Sequence, residues 1–196
     1  MPDISVPWHD GVWTHPPVSI HHDADSNALH VVAESGSDAW LHTAYGFVHD
    51  SAHALLAPLP VGSAMDVSFR GDWHGQFDQA GLFVAASEER WVKAGVEFAD
   101  GHLGLGAVVT AGASDWSIGR VDEWIGAELT VRISRWADAL IVRARATDEE
   151  WRLVRVAPFP ADAVAAAGPF LAAPTRAGLE VVFTRWVQGD ADATLH

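Results

Sequence analysis

Short segments in which apolar and polar side chains alternate recur along the chain, with glycine, aspartate, asparagine or proline between them. In one of these segments Met65, Val67 and Phe69 share a face. Because successive side chains of a strand point to opposite faces, the alternation predicts half-buried β-strands. About ten such segments, separated by frequent turns, favour an all-β sandwich or barrel. The segments are 28–33, 40–43, 64–70, 81–85, 91–98, 103–110, 128–134, 139–145, 151–156 and 178–183.

The segment 91–98 divides its side chains between two distinct faces. Its even-numbered positions are apolar and predict a face that joins the core, whereas Trp91, Lys93 and Glu97 lie on the other face. The Asp100-Gly101 pair that follows is a hairpin signal, because glycine tolerates a positive φ. A row with a ring, a cation and a carboxylate on one sheet face suits a polyhydroxylated ligand. The pattern does not indicate whether such a row binds or reacts.

The chain length of 196 residues suits one domain, which we place at 8–187. We expect flexible tails at 1–7 and 188–196, because chain ends are usually poorly ordered. Only 162–167 has a helical composition, and its alanines could equally form a loop. No linker and no internal repeat divides the sequence.

The charge of the chain excludes several classes of partner. Its formal net charge is −14, from 26 acidic residues against 12 lysines and arginines, without a basic cluster. Such a chain repels phosphate backbones and anionic membranes, so we predict no nucleic-acid partner and no membrane partner.

No signal peptide is recognisable, and no apolar run approaches the roughly 18 residues of a membrane span. The absence of cysteine excludes thiol chemistry and is consistent with a reducing compartment. We therefore predict a cytoplasmic protein, and its oligomeric state stays open.

Several spaced motifs occur in one order along the chain. They are Trp40 with Tyr45-Gly46-Phe47, Asp50 and His53, then 78–82, 91–97, Asp100-Gly101, 108–110, 114–117, Pro174 and 178–183. From about residue 8 to residue 187 they resemble the domain-of-unknown-function family 1349, which includes relatives of a yeast regulator of enolase. The resemblance implies a concanavalin A-like jelly roll, a sandwich of two antiparallel sheets with one concave face. It implies no established reaction. Trp186 and the loop 71–75 depart from the family pattern, which leaves the identity of a ligand open.

The candidate ligand-binding residues combine flat rings with planar polar groups. Rings can stack on the C–H faces of a sugar, while amides and carboxylates take paired hydrogen bonds from hydroxyl groups. We predict a groove for a small polar or carbohydrate-like ligand, formed by Tyr45, Gln79, Trp91, Lys93, Glu97, Asp115 and Trp116. The alternative is a purely structural polar network, and Tyr45 could equally cap a sheet corner. Lys93 and Glu97 lie roughly 13 Å apart along an extended strand, so each needs another partner, such as a residue on a neighbouring strand.

The same groove could belong to an enzyme, and the sequence does not decide between binding and catalysis. The best candidates for a catalytic acid or base are Glu97 and Asp115, with Asp78 as another partner for Glu97. The related glucanases carry their acids in a Glu-x-Asp-x-x-Glu pattern, which is absent from this chain. A regulatory protein-interaction module is the third possibility, which the resemblance allows.

Metal and cofactor sites have weak support in the sequence. The histidines of 21–22 and 49–53 have no third ligand near them. The alternating Asp and Asn of 23–27 suit calcium, but the glycine turn and the distal glutamate of an EF-hand are missing. We predict no metal site and leave a structural calcium open. No glycine-rich phosphate loop opens a helix, so we predict no nucleotide and no other cofactor.

Overall fold

The structure is a computed structural model that describes residues 3–195. Two large antiparallel sheets pack face to face, which confirms the predicted all-β sandwich. Within residues 3–195 the helical pieces are two short 3-10 turns, Trp8–Asp10 and Asp122–Trp124. No helix in this part of the chain has the length and apolar character needed to cross a membrane.

The strands follow one another closely along the chain. In order they are β1 (Ile4–Ser5), β2 (Val12–Trp13), β3 (Ser19–Asp23), β4 (Ala28–Val32), β5 (Ala39–Leu41), β6 (Val48–Asp50), β7 (His53–Pro58), β8 (Ser63–Gly71), β9 (Asp78–Ser87), β10 (Arg90–Ala99), β11 (His102–Ala111), β12 (Ser114–Arg120), β13 (Leu129–Arg135), β14 (Ala139–Ala146), β15 (Arg152–Pro158), β16 (Ala166–Ala172) and β17 (Glu180–Asp190).

The strands form two sheets and a separate hairpin. The larger sheet has the order β15-β14-β13-β8-β17-β4-β3, with β1 paired to β17. The smaller sheet has the order β12-β11-β10-β9-β16-β7-β2, and β5 and β6 form a separate two-stranded sheet. The two central strands of the predicted hairpin, β10 and β11, are paired from Arg90 with Ala111 to Ala99 with His102. The Asp100-Gly101 turn joins them, as the sequence predicts.

The main core lies between the two sheets. Val92, Ala94 and Val96 of β10 are buried there, and Phe98 packs against its margin. The opposite sheet contributes large side chains such as Phe69 and others on β8, β13 and β17. The alternation read from the sequence of 91–98 is therefore confirmed, and the odd-numbered positions of β10 face outward from the sandwich.

The β5–β6 hairpin covers part of this outward face. Ala39 and Leu41 pack with Phe83, Trp91 and neighbouring side chains in a second, smaller apolar cluster. The hairpin thus gives depth to a sheet face that would otherwise be open to solvent. This cover positions the candidate site.

At 162–167 the loop that the sequence leaves open as the alternative to a helix is present, and both segments expected as tails take part in strand pairing. The segment 162–167 contains no helix, and β16 begins at Ala166. The segment 188–196 starts inside β17, and its Asp192 accepts a hydrogen bond from Arg132 Nε at 2.9 Å and also pairs with Arg143. Within the segment 1–7, β1 pairs with β17. Of the two segments expected as tails, Met1, Pro2 and His196 lie outside the described residues.

Candidate functional site

A pocket of about 360 Å³ opens on the outward face of the smaller sheet, beside the β5–β6 hairpin. Polar side chains form its floor and aromatic side chains form its walls. The floor residues are Asp38, Gln79, Lys93 and Glu97. The wall residues are Trp40, Tyr45, Phe47, Phe77 and Trp116, with His49, Val108, Pro174 and Thr175 around them.

A compact hydrogen-bond network holds the floor. Lys93 Nζ donates to Gln79 Oε1 at 2.7 Å and to Asp38 Oδ1 at 2.9 Å. Gln79 Nε2 donates to the same Asp38 oxygen at 3.2 Å. Gln79 lies on β9, next to β10, so Lys93 finds a partner on a neighbouring strand, as its spacing from Glu97 requires. The buried Lys93 ammonium is thereby matched by a carboxylate, which such a group needs.

Asp38 is a floor residue that the sequence does not indicate. It precedes β5, and its Oδ1 also accepts the backbone N–H of Ala39 at 2.8 Å. The loop that carries it is held by the Ser37 hydroxyl, which donates to the carbonyl of Glu34 at 2.7 Å and accepts from Ala173 N at 2.9 Å. A Ser-Gly-Ser-Asp stretch predicts a turn, but no local signal predicts its contact with Lys93.

His53 supports the same loop. Its Nε2 accepts the N–H of Glu34 at 3.0 Å, and its Nδ1 donates to the carbonyl of His15 at 3.1 Å. Burial lowers the pKa of His53, which favours the neutral ring that these two contacts require. His53 therefore serves the packing of this loop. Among residues 3–195, no three His, Asp or Glu side chains come together where they could hold a metal ion.

Glu97 is the floor residue without a fixed partner. Within the described chain its carboxyl group makes no hydrogen bond and no ion pair. Burial raises the pKa of Glu97 to about 7, the charge of Lys93 opposes this rise, and the charge of Asp38 adds to it. Near neutral pH the Glu97 carboxyl group is therefore divided between its acid and carboxylate forms, and it can donate or accept a proton.

The hairpin supplies a continuous aromatic wall. Trp40 meets Tyr45 edge-on with ring centroids 5.9 Å apart, and Tyr45 stacks on Phe47 at 5.2 Å. Phe47 in turn meets His49 edge-on at 4.6 Å. Tyr45 is 65% exposed and Trp116, which also lines the pocket, is 41% exposed. Both rings therefore leave apolar surface open, although the Tyr45 ring also packs against Trp40 and Phe47.

The connection between β5 and β6, residues 42–47, contains two tight three-residue turns. His42 and Ala44 have φ values of 61° and 63°, in the left-handed region that non-glycine residues seldom adopt. Hydrogen bonds of 2.7 Å join Thr43 N to Leu41 O and Tyr45 N to Thr43 O, each across one of these two residues. Such three-residue turns are strained. This backbone turns the Tyr45 ring toward the pocket.

Asp78 places Phe77 at the other rim. The Asp78 side chain is fully buried and accepts hydrogen bonds from Arg176 Nε at 2.8 and 3.0 Å. It also accepts the N–H of Gly75 at 2.8 Å. Phe77 has a φ of 66°, and its N–H donates to the carbonyl of Phe98 at 2.6 Å. Asp78 therefore anchors a loop and does not line the pocket, which argues against its role as a second acid beside Glu97.

A row of three glycines lies next to the floor. Gly95 of β10 is paired with Gly81 of β9 and with Gly106 of β11. A Cβ atom at Gly95 would lie 2.1 Å from the carbonyl oxygen of Ala80, so no larger residue fits. A shallow cleft lies along this bare backbone. Gln79, Lys93, Glu97 and Trp116 line both this cleft and the main pocket.

A family model described as "Protein of unknown function (DUF1349)" matches residues 13–189. The chain belongs to this DUF1349 family. It is also 34% identical over 176 residues to "Regulation of enolase protein 1" of Saccharomyces cerevisiae, covering 90% of this chain and 87% of that protein. The family resemblance noted in the sequence is thus confirmed.

Solved structures share the fold of this DUF1349 domain. A functionally unknown protein from Saccharomyces cerevisiae superposes with a TM-score of 0.87 at 30% identity, covering 96% of this chain and 100% of that one. A xylan β-1,4-xylosidase from Bacillus halodurans gives a TM-score of 0.65 at 12% identity, over 84% of this chain and 33% of that one. A GH43 protein from Bacillus licheniformis gives a TM-score of 0.66 at 12% identity, over 93% of this chain and 37% of that one. At such low identity, the two Bacillus proteins show only that the fold is shared.

The pocket of this DUF1349 domain brings together most of the predicted site residues. Tyr45, Gln79, Lys93, Glu97 and Trp116 all line it. The additional lining residues, above all Asp38, Trp40, Phe47 and Phe77, lie in loops and on the β5–β6 hairpin, whose position over the sheet no local pattern predicts.

Two predicted site residues do not reach the pocket. Trp91 is 5% exposed and stacks on Phe83 with centroids 5.4 Å apart, under the cover of the hairpin. Asp115 is next to Trp116 on β12 and so points to the opposite face, where Arg155 of β15 donates to it at 2.9 Å. The predicted stacking role of Trp91 and the predicted polar and acid roles of Asp115 do not fit these positions.

Proposed function

We propose that this DUF1349 protein binds a small polar or carbohydrate-like molecule in the pocket above Lys93 and Glu97. One observation carries the proposal: the carboxyl group of Glu97 lacks a partner within the described chain, on a floor whose other polar groups are fixed. A structural network alone would account for Asp38, Gln79 and Lys93 but not for Glu97.

The shape and lining of the pocket support the proposal. Small-molecule sites are concave, largely apolar, and carry a few placed polar groups. The volume of about 360 Å³ lies within the range of roughly 300–1,000 Å³ that is typical of such sites. Exposed faces of Tyr45 and Trp116 suit the apolar face of a ring-shaped ligand, and the floor offers donors and acceptors to its hydroxyl groups.

A panel of mono- and oligosaccharides and small polar metabolites, titrated by calorimetry, tests the proposal. We expect at least one member to bind, and we expect Tyr45→Ala and Glu97→Gln each to weaken it about tenfold or more. Ile125→Ala and Glu180→Gln, at exposed positions that do not line the pocket, serve as matched controls. Lys93→Ala is unsuitable as a first test, because it leaves Asp38 without its ion-pair partner.

The outcome of this titration is decisive in both directions. Absence of binding across the panel, or binding that survives both pocket variants, contradicts the proposal. Conversion of a bound molecule would identify an enzyme, and loss of that conversion in Glu97→Gln would assign Glu97 as its acid or base.

A regulatory role is the second candidate, and the name of the yeast relative favours it. That protein carries the name "Regulation of enolase protein 1", and it is 34% identical to this chain. Exposed Tyr45, Phe47 and Val48 on the hairpin could contact a protein partner. This role can be tested by mixing the protein with enolase from the same organism and by following enolase activity and co-elution.

A cytoplasmic location is part of the same proposal and agrees with the absence of cysteine.

A further inference from the structure

The charged groups on the pocket floor do not balance. The floor holds one cation, Lys93, and two carboxyl groups, Asp38 and Glu97. Asp38 and Gln79 already use two of the three Lys93 N–H donors, at 2.9 and 2.7 Å. The positive charge of Lys93 is therefore matched by Asp38, and Glu97 in its ionised form is the unmatched charge at the floor.

The walls favour the same sign of ligand charge. Five aromatic rings line the pocket, those of Trp40, Tyr45, Phe47, Phe77 and Trp116. The face of an aromatic ring is electronegative and attracts a cation within about 6 Å of its centroid. Open ring faces beside an unmatched carboxylate are the combination that recognises alkylated ammonium groups.

An anionic ligand fits this pocket poorly. A phosphate or carboxylate group at the remaining Lys93 N–H would meet an ammonium charge that Asp38, 2.9 Å away, already matches. It would then lie close to the Glu97 carboxyl group and against electronegative ring faces. The net charge of −14 opposes its approach as well.

Building on the proposed function, we propose that the pocket selects a small ligand with a positively charged amine or quaternary ammonium group. The cationic group lies beside Glu97 and between the ring faces, and the remaining Lys93 N–H donates to a hydroxyl oxygen of the same ligand. Binding of the cation supplies the partner that Glu97 lacks.

Choline is a suitable probe, because its charge does not change with pH and it carries one hydroxyl group. Its neutral isostere, 3,3-dimethylbutan-1-ol, has the same shape without the charge. We expect choline to bind about tenfold or more tightly than the isostere at pH 8, as the strength of desolvated cation–π contacts predicts. D-glucosamine against D-glucose is a second matched pair, which covers a ligand with a sugar ring and is compared at pH 7, where the amine is largely protonated.

The pH dependence assigns the effect to Glu97. Asp38, Lys93, Tyr45 and His49 are the other titratable groups that line the pocket around it. Since the pKa of Glu97 is about 7, choline affinity should rise about tenfold between pH 6 and pH 8. The rise should disappear in Glu97→Gln, which resembles the protonated acid in shape, and should persist in His49→Gln.

The two proposals fail in different ways. Equal or tighter binding of the neutral member in both pairs overturns the preference for a cation but leaves a ligand-binding pocket. A choline affinity that is unchanged in Glu97→Gln also overturns the preference. If all four probes and the wider panel fail to bind, the proposed function fails together with the preference.

Discussion

The ammonium group of Lys93 lies 2.9 Å from Asp38 Oδ1, although the two residues are 55 positions apart in the sequence. Because of this contact, the two carboxyl groups of the pocket floor have different roles. Asp38 holds the floor together, whereas Glu97, on the same strand face as Lys93, has no partner in the described chain. The candidate function depends on this division.

Replacing Asp38 should destabilise the folded protein. Asp38→Ala leaves the Lys93 ammonium buried without a counter-charge, so we expect a loss of roughly 2–4 kcal/mol in the free energy of unfolding. Urea denaturation at pH 7 measures this loss. Asp50→Ala, which removes an exposed carboxylate at the end of β6, is the control and should change stability by less than about 0.5 kcal/mol. Similar values for the two variants would show that the ion pair contributes little.

Glu97 should make the protein less stable as the pH rises. Its pKa is about 7 in the folded protein against an ordinary 4.5, so the folded state binds its proton more tightly than the unfolded chain does. The stability that this proton contributes is complete below pH 4.5 and is lost as the pH rises through about 7. Glu97→Gln lacks this dependence.

The stability difference between Glu97→Gln and the wild-type protein should therefore grow with pH. We expect the advantage of the variant to increase by roughly 2 kcal/mol between pH 5.5 and pH 8. Denaturant melts at a series of pH values measure it, with Glu180→Gln as an exposed control. A constant difference across this range would mean that the pKa of Glu97 in the folded protein is close to its ordinary value.

Arg176 should matter more than its partly exposed position suggests. Arg176→Ala leaves the fully buried carboxylate of Asp78 without its cation, and we expect a loss of about 3–5 kcal/mol. Arg70, which is largely exposed and pairs with Glu128 at 3.1 Å, provides the control. Arg70→Ala should cost no more than about 1 kcal/mol. Thermal and denaturant unfolding compare the two, and equal losses would contradict the anchoring role of Asp78.

The glycine row beside the floor should not tolerate a side chain. Gly95→Ala places a Cβ atom 2.1 Å from the Ala80 carbonyl oxygen, so the strands must separate, at roughly 3 kcal/mol or more. Gly119 lies on the edge strand β12 with open space at its Cβ position. Gly119→Ala is thus a matched control and should be nearly neutral. Normal stability of Gly95→Ala would show that β9 and β10 can move apart at little cost.

Alternation along one strand was sufficient to predict the two faces of β10. It separated Val92, Ala94 and Val96 from Lys93 and Glu97, and the structure has the same division. The same rule, applied to β12, would have separated Asp115 from Trp116, since adjacent residues of a strand point to opposite faces. A groove that contains both Asp115 and Trp116 is therefore inconsistent with strand geometry.

Other parts of the site depend on contacts between distant segments. Trp91 has the expected orientation, but Leu41 and its neighbours on the hairpin cover it, and no local pattern predicts that cover. Asp38 reaches Lys93 only because the loop before β5 is tied down by Ser37 and His53. Hydrophobic periodicity describes which face of a strand is buried and does not describe which loop folds over it.

The most direct test of the ligand-binding claim follows the indole N–H signals of the tryptophans by NMR during titration with the tightest-binding small molecule found. Trp40 and Trp116 line the pocket, whereas Trp124 and Trp186 are buried in the core. We predict saturable shifts for the first two signals, unchanged signals for the other two, and loss of the shifts in the Tyr45→Ala, Glu97→Gln double variant. Shifts that bypass Trp40 and Trp116, or that persist in the double variant, would place binding elsewhere and contradict the claim.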